Sequence, residues 1–401
     1  MSYEFEQYLK KKFSVEKIDT VKEYLVSRYT KKKKKLTIVF DLLHVCNLNC
    51  IGCGTDSNSE METSTMTYNQ VMNVLKKIKT YNKEENVEVF INFGGGEPLL
   101  RPDIIEIISL AAELFGYENI GIDTNATLYN SVELLSSIAP NVSYIGVSVN
   151  GTKTYHNWWA GTGNDVYQKT INAIKTLCRN KEIANKLEVT TIPTRDNASE
   201  VKVLMSILSQ IGVKKYSLHR AMPVGRMGSI IKSMELDADT YFELFVETIF
   251  HAKKMGIEAH FHHSLEEIYA SLICDLDTYC ETNSFGLNTQ NSIGINPQGL
   301  VTINPWCSSG IWSNLFLGNI LNDGIELHNI FNNSSYIINQ LRANVSFEQR
   351  CNGCKTCCSG GSRIVAASRA MDEYNKQLEM EDLITAMSAK DPGCIMLEEI
   401  K

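Results

Sequence analysis

Short apolar segments alternate with amphipathic helical segments from residue 36 to residue 220, and this alternation limits the folds open to the chain. LTIVFDLL has the pattern of a buried strand, and TYNQVMNVLKKI follows it with Thr67 and Gln70 spaced as a helix capping box. NVEVFINF, NIGIDTN, VSYIGVSVN, LEVTTIP and KKYSLH continue the strand series. Strands that alternate with helices form βαβ units and a parallel sheet. Six such strands favour an α/β fold with a partial (β/α)6 TIM-like barrel over an open doubly wound sheet.

Four polar segments follow the ends of predicted strands. They are the cysteine-containing HVCNLNCIGCGT, then GGGEP, DTNAT and SVNG. In parallel barrels the functional residues gather where the strands end, at the carboxyl edge of the sheet. The sequence therefore predicts that these four segments build one site.

Twelve cysteines divide into two regions and one isolated residue, Cys178. Three lie at Cys46, Cys50 and Cys53, and eight lie between Cys274 and Cys394. Clustered cysteines in a reducing compartment bind metal or do redox chemistry more often than they form disulfides. This predicts three parts: a basic N-terminal extension (1–35), a barrel (36–265) and a small cysteine-rich iron–sulfur domain (266–401).

The first three cysteines provide one ligand fewer than a closed metal site needs. Iron–sulfur clusters are held by thiolates, and three thiolates on a four-iron cluster leave one iron open to another ligand. A structural zinc site with His44 as the fourth ligand is the alternative.

Cys46-x3-Cys50-x2-Cys53 after the first barrel strand resembles the signature of the radical S-adenosylmethionine (SAM) superfamily. The resemblance implies a four-iron cluster whose open iron binds the amino and carboxylate groups of SAM. GGGEP resembles the superfamily's GGE motif, DTNAT its T-N-G step, and SVNG with His156 its S-x-D-G…H segment. The SAM-binding residues that the resemblance implies are Gly95, Gly96, Glu97, Pro98, Thr124, Asn125 and Ser148.

The chain departs from this pattern at two positions. Gly52 stands where the superfamily usually has an aromatic residue before the third cysteine, and Ala160 stands where many members have an Arg before Gly. Arg220 or Arg226, in HRAMPVGR, is the candidate to supply a cation in its place.

The second cysteine region resembles the SPASM extension of the superfamily, which carries two auxiliary four-iron clusters. The resemblance implies that Cys274, Cys280 and Cys307 hold the first cluster, with Ser362 where its last ligand is expected. The second cluster would be held by Cys351, Cys354, Cys358 and Cys394. Either the first cluster keeps an open iron or Cys357 fills the vacancy, and the choice between Cys357 and Cys358 stays open. A zinc ribbon is the alternative.

The net charge of −7 is unevenly distributed, because residues 1–36 hold eleven Lys or Arg against five Asp or Glu. This basic segment is either a solvated face or a handle for an acidic partner such as a leader peptide. An acidic body without aromatic residues among the lysines argues against nucleic acid. No apolar run is long enough for a membrane helix and no signal-peptide core is present, so the cytoplasm and no membrane contact are expected.

The resemblance implies an enzyme that cleaves SAM reductively and oxidises a substrate C–H position. The expected substrate is a ribosomally made peptide that receives a crosslink, thioether, epimer or excision, and the expected partners are a precursor peptide, a recognition protein and a flavodoxin or ferredoxin donor. One alternative is oxidation of a small molecule such as a haem precursor or sugar. Another is a non-catalytic iron–sulfur electron carrier. His260 and His262 alternate on one strand, as a packed pair or as groups that transfer protons.

Overall fold

A computed structural model describes residues 3–29, 35–60, 65–163, 165–262, 264–274, 292–302, 305, 316–333, 381–382 and 384–385. Its strands are β1 (Leu36–Leu43), β2 (Val89–Gly95), β3 (Ile120–Thr124), β4 (Tyr144–Ser148), β5 (Leu187–Thr191), β6 (Lys215–His219), β7 (Glu258–His262), β8 (Ser292–Ile295), β9 (Leu300–Thr302) and β10 (Phe316–Asn319). They form one sheet in the order β10-β9-β8-β1-β2-β3-β4-β5-β6-β7. The strands from β8 through β7 are parallel, while β9 and β10 are antiparallel. The predicted α/β class is confirmed, and β7 and β8 extend the six expected strands.

Helices follow most of the parallel strands and cover the outer face of the sheet. They are α1 (Tyr3–Lys12), α2 (Val15–Tyr29), α3 (Tyr68–Glu84), α4 (Ile104–Phe115), α5 (Ser131–Ile138), α6 (Lys153–Trp159), α7 (Val166–Leu177), α8 (Lys181–Ala184), α9 (Val201–Gln210), α10 (Gly225–Met234), α11 (Ala238–Met255), α12 (Ser264–Cys274) and α13 (Leu327–Asn333). Short 3-10 turns lie at Pro98–Leu100, Tyr117–Asn119, Ala139–Asn141 and Ala198–Glu200.

The core lies between the sheet and these helices. Alternate residues of β1 and β2, such as Ile38, Phe40 and Phe93, are fully buried under the helices. The predicted capping box of α3 is present, with Thr67 and Gln70 bonded reciprocally. Because side chains alternate along a strand, the other face carries polar residues toward the interior of the curved sheet.

The N-terminal segment, predicted as a basic extension, forms two helices. Helix α2 packs against α11 and α12 with Leu25 buried, and α1 packs the buried Phe5 against Phe242 of α11. Lys12 pairs with Asp239 and Glu243 of α11. Some lysines of this segment thus neutralise acidic residues of the same chain. Residues 31–34 of the lysine run lie outside the described residues.

Among the residues that the structure describes, no helix combines the length and apolarity that crossing a membrane would require. Cys274 ends α12, where its half-buried thiol donates a hydrogen bond of 3.9 Å to the carbonyl of Lys22. The other seven cysteines of the second region, and Ser362, lie outside the described residues, so their assignment to clusters stays a prediction.

Candidate active site

The cysteine loop, residues 44–60, connects the end of β1 to the segment before α3. Cys46 Sγ accepts hydrogen bonds from the Leu48 N–H at 3.4 Å and from Asn125 Nδ2 at 3.7 Å. Cys53 Sγ accepts from the Ser57 N–H at 3.4 Å. Donors directed at sulfur stabilise a thiolate and its bonds to iron. The loop therefore presents sulfur atoms in a setting suited to metal ligation.

Burial works in the opposite direction on the metal-free thiols. It raises the pKa of Cys46 to about 12 and also raises the pKa of Cys50. The three cysteines are free thiols, each partly accessible. Metal binding displaces the proton from a thiol, so Cys46 and Cys50 are protonated in the free chain and become ligands when a metal is supplied.

Within the described ranges, no three His, Cys, Asp or Glu side chains come close enough to surround a single metal ion. A four-iron cluster binds its cysteines through different irons, whereas a zinc ion draws all its ligands to one centre. His44, the proposed fourth zinc ligand, is buried 4.0 Å from the Asp41 carboxylate, and its Nε2 has no hydrogen-bond partner among the residues that the structure describes. The soft donor set of the loop fits an iron–sulfur cluster.

The GGGEP segment lies against the cysteine loop. The Gly96 N–H donates to the Leu43 carbonyl at 2.6 Å, and the Glu97 N–H donates to the Val45 carbonyl at 3.0 Å. A Cβ added at Gly96 would stand 2.1 Å from the Val45 oxygen, far inside van der Waals contact. Glycine is thus needed at this position because the backbone of the cysteine loop leaves no room for a Cβ. Any close approach of SAM would be a second reason.

Glu97 connects three segments of the site. It is completely buried, and its carboxylate accepts hydrogen bonds from the Leu99 N–H at 3.0 Å, the Thr124 hydroxyl at 2.7 Å and the Asn125 N–H at 2.8 Å. Burial raises its pKa to about 7, although these three donors oppose the shift. Through its bonds to Thr124 and Asn125, Glu97 fixes the position of the loop after β3.

Asn125 continues the connection to the cysteine loop. Its Nδ2 donates to Asn47 Oδ1 at 2.9 Å, and Asn47 in turn donates to the Thr127 hydroxyl at 2.8 Å. Ala126, between them, has a φ of 54°, the left-handed region that favours glycine. This is the position where the T-N-G step has its glycine, so the backbone turn is present even though the residue differs.

Two other predicted residues lie apart from this network. Pro98 is buried at the first position of the 3-10 turn that follows Glu97. Ser148 is exposed at the carboxyl end of β4, opposite Thr190 of β5.

His156 is buried, its Nδ1 accepts from the Asn150 N–H at 2.9 Å, and burial lowers its pKa to about 4. It is therefore a neutral imidazole that orders the SVNG turn.

A wall formed by α6 packs on the other side of the cysteine loop. The Trp159 carbonyl accepts from the Ile51 N–H at 2.9 Å, and the Ala160 carbonyl accepts from the Asn49 N–H at 3.1 Å. A Cβ on Gly52 would stand 2.4 Å from the Trp159 ring. The aromatic group next to the third cysteine is thus supplied by Trp159, and Gly52 is the residue that leaves room for it.

Arg226, one of the two predicted cations, contacts the cysteine loop directly. Its Nε donates to the Cys50 carbonyl at 2.8 Å, Nη2 donates to the Ser57 carbonyl at 2.7 Å, and Nη1 pairs with Asp56 at 2.9 Å. Arg220 is buried elsewhere, and its charge acts on Tyr241.

Apart from His260, a polar group on the inner face of the sheet was not identified from the sequence. Asn92 Nδ2 donates to the partly buried carboxylate of Asp123 at 2.5 Å, and the Tyr144 hydroxyl donates to the same carboxylate at 3.2 Å. Glu188 of β5 lies 2.5 Å from His260 Nδ1 of β7. Strand register places these residues on one face of the sheet, because side chains alternate between the two faces along each strand.

His260 lies between two carboxylates, since its Nε2 also contacts Glu258 at 3.0 Å. Burial disfavours its charged form, but hydrogen bonds and charge from Glu188 and Glu258 outweigh this and raise its pKa to about 9. It is therefore an imidazolium at neutral pH, which suits an ion-paired residue of the sheet interior better than a proton-transfer group.

Comparison with known proteins identifies the family that part of this chain resembles. Residues 42–206 match the family model described as the Radical SAM superfamily. The AdoMet-dependent heme synthase of Methanosarcina barkeri (strain Fusaro / DSM 804) is 24% identical over 191 residues, which are 47% of this chain and 51% of that protein. The chain thus spans about half the length of this curated relative.

Two other relatives match more of the chain. The mycofactocin maturase MftC of Mycobacterium tuberculosis (strain CDC 1551 / Oshkosh) is 22% identical over 339 residues, or 81% of this chain and 78% of that protein. The crystal structure of Streptococcus suis SuiB bound to precursor peptide SuiA superposes with a TM-score of 0.64 at 16% identity, covering 90% of this chain and 78% of that one. At this identity the superposition establishes the shared fold.

Proposed function

The chain belongs to the radical SAM superfamily through residues 42–206, and from this premise we propose that it is a peptide maturase. It would abstract hydrogen from a ribosomally made precursor peptide and oxidise the resulting position. The observation that carries the enzyme assignment is the continuous set of hydrogen bonds that joins Cys46, the first of the three loop cysteines, to Asn125, Glu97 and Thr124.

Each part of the chain has a distinct task in this proposal. Cys46, Cys50 and Cys53 would hold a four-iron cluster, and Gly95, Gly96 and Ser148 would lie along the bound SAM. A cluster held by these cysteines would supply the single electron needed to cleave the C5′–S bond of SAM to a 5′-deoxyadenosyl radical. Glu97 holds the β3 loop in place, and the buried polar groups of the sheet interior fix the walls around the substrate.

The peptide class of substrate is supported by the extent of the likeness. The match to the mycofactocin maturase continues beyond the radical SAM domain, over 81% of the chain. The solved SuiB structure holds a precursor peptide and resembles 90% of this chain. In parallel barrels the active site is built from the loops at the carboxyl ends of the strands, and this is where an extended peptide would bind.

Oxidation of a small molecule such as a haem precursor is the second candidate, and the match to the heme synthase favours it. That match covers 47% of the chain. We propose that the second cysteine region would hold two auxiliary clusters that accept the electron released when the substrate radical is oxidised. Three clusters would bring the iron content to about twelve atoms per chain, against about four for one cluster.

Anaerobic reconstitution of the full chain with iron, sulfide, dithionite and SAM tests the enzyme assignment. We expect 5′-deoxyadenosine to form, and we expect Cys50→Ala to abolish it, with Cys178→Ala as the matched cysteine control. Absence of 5′-deoxyadenosine from an iron-loaded chain would refute the assignment. Incubation with a synthetic peptide from the nearest small open reading frame, and separately with a coproporphyrin, then distinguishes the two substrate classes by mass spectrometry.

A further inference from the structure

We infer that Arg226 is a positioning residue that fastens the cysteine loop and adjusts the reduction potential of the cluster held there. The second half of this inference depends on the proposed function, and the first half does not. Arg226 is the second residue of α10, directly after Gly225, and four of its groups contact one stretch of the cysteine loop.

The contacts come from both the backbone and the side chain. The Arg226 N–H donates to the Cys53 carbonyl at 2.9 Å, and its guanidinium reaches the carbonyls of Cys50 and Ser57 at 2.8 and 2.7 Å. Three of the four acceptors are backbone carbonyls, and two of these belong to cysteines. A surface ion pair with Asp56 alone would not need these three bonds, so the arrangement holds the shape of the loop.

Gly225, the residue before Arg226, also allows α10 to lie close to the cysteine loop. Gly225 has a φ of 54°, and a Cβ there would stand 2.3 Å from the Cys53 oxygen and 2.5 Å from the Gly54 oxygen. Only glycine allows the start of α10 to approach the loop this closely. Asp56, the ionic partner, also has a positive φ of 58°, which the loop maintains despite the cost to a non-glycine residue.

The charges at this contact have opposite effects on a cluster. Reduction adds a negative charge to a cluster, so a nearby cation favours the reduced state and a nearby carboxylate disfavours it. Arg226 should therefore raise the reduction potential, and Asp56 should lower it.

Three variants separate the two effects. Arg226→Met removes both the charge and the hydrogen bonds, Arg226→Lys keeps the charge but cannot make the forked contacts, and Asp56→Asn removes only the opposing charge. The first measurement is a redox titration of the reconstituted full chain, followed through the spectroscopic signal that responds to SAM.

We expect Arg226→Met to lower the potential and Asp56→Asn to raise it, with Arg226→Lys close to wild type. A tenfold change in the ratio of reduced to oxidised cluster corresponds to ~59 mV for one electron. Shifts of the same sign in Arg226→Met and Asp56→Asn, or no shift in either, would refute the electrostatic role.

The second measurement does not need a cluster. In the metal-free full chain, the alkylation rates of Cys46, Cys50 and Cys53 are compared with that of Cys178 in the same molecule. Arg226→Met and Arg226→Lys should both speed up alkylation of the loop cysteines severalfold, while Asp56→Asn should leave it nearly unchanged. Unchanged rate ratios in both Arg226 variants would refute the fastening role. If wild type assembles no SAM-responsive cluster, the proposed function fails while this result still decides the fastening role.

Discussion

The cysteine loop and the N-terminal helix pair, α1 with α2, both pack on the same scaffold through different kinds of contact. The cysteine loop is held by hydrogen bonds between backbones that approach so closely that Gly96 and Gly225 leave no room for a Cβ. The helix pair is held by apolar side chains such as Phe5 and Leu25, with lysine–carboxylate pairs at the margin.

These two modes of attachment predict different tolerance to substitution. A backbone-to-backbone contact cannot adjust to an extra atom, because neither partner can change rotamer. Long, partly exposed side chains can move and can exchange a partner for water. We therefore expect single-atom changes near the cysteine loop to cost much more than the loss of a whole cation from the helix pair.

The largest effect is expected for Gly96→Ala. The added Cβ would lie 2.1 Å from the Val45 oxygen, so the cysteine loop or β2 must move. We expect a loss of about 3 kcal/mol or more in the free energy of unfolding, together with poor iron retention. The matched control is Gly94→Ala, whose Cβ would find its nearest neighbour, Asp41 Oδ1, at 3.8 Å. Equal unfolding midpoints for the two variants would show that the loop does not need this close contact.

The next largest effect is expected for Glu97→Gln. The amide nitrogen cannot accept the hydrogen bonds that a carboxylate oxygen accepts, so one buried donor loses its partner, at a cost of about 1–3 kcal/mol. The exposed Glu133→Gln is the control. Denaturation midpoints of the metal-free chain measure both.

The pH dependence gives Glu97 a second test. Burial raises its pKa from 4.5 to about 7, so between these values the folded chain keeps a proton that the unfolded chain has lost. Its contribution therefore makes stability fall as pH rises from about 4.5 to about 7. Glu97→Gln should remove this part of the pH profile, and a profile unchanged by the substitution would contradict the assignment.

More of the site around the cysteine loop than of the polar group in the sheet interior could be predicted from the sequence, and the reason is physical. The strands, the α3 capping box and the gathering of four segments at one edge depend on local periodicity and on the parallel topology. Strand register places Asp123, Glu188 and His260 on one face of the sheet, and no local sequence pattern reveals this register. The resemblance to the radical SAM superfamily is confirmed, while the roles of the individual site residues and the auxiliary clusters remain predictions.

A smaller effect, of opposite sign, is expected for Ala126→Gly. Ala126 has a φ of 54°, and a left-handed conformation costs a residue with a Cβ about 1–2 kcal/mol. The greater freedom of glycine in the unfolded chain offsets part of this gain. We expect a net stabilisation of up to about 1 kcal/mol in thermal or denaturant unfolding. Ala112→Gly, inside α4, is the control and should destabilise the chain by about 1 kcal/mol. A loss of stability in Ala126→Gly would show that its Cβ makes contacts that outweigh the strain.

The smallest effect is expected in the helix pair, for Lys12→Met. Lys12 contacts Glu243 at 2.7 Å and also pairs with Asp239, while its ammonium lies 5.2 Å from the centre of the Tyr8 ring. The two carboxylates are partly exposed and can recover water when the cation is removed, and methionine keeps most of the apolar stem. We expect a loss below about 1 kcal/mol that shrinks further in high salt, measured by denaturant unfolding. Lys10→Met should cost still less. Among the ion pairs of the described residues, Lys10 pairs only with the neighbouring Glu6 of the same helix. If Lys12→Met approached the cost of Gly96→Ala, attachment through charged side chains would be as demanding as attachment through backbones, and the contrast between the two regions would disappear.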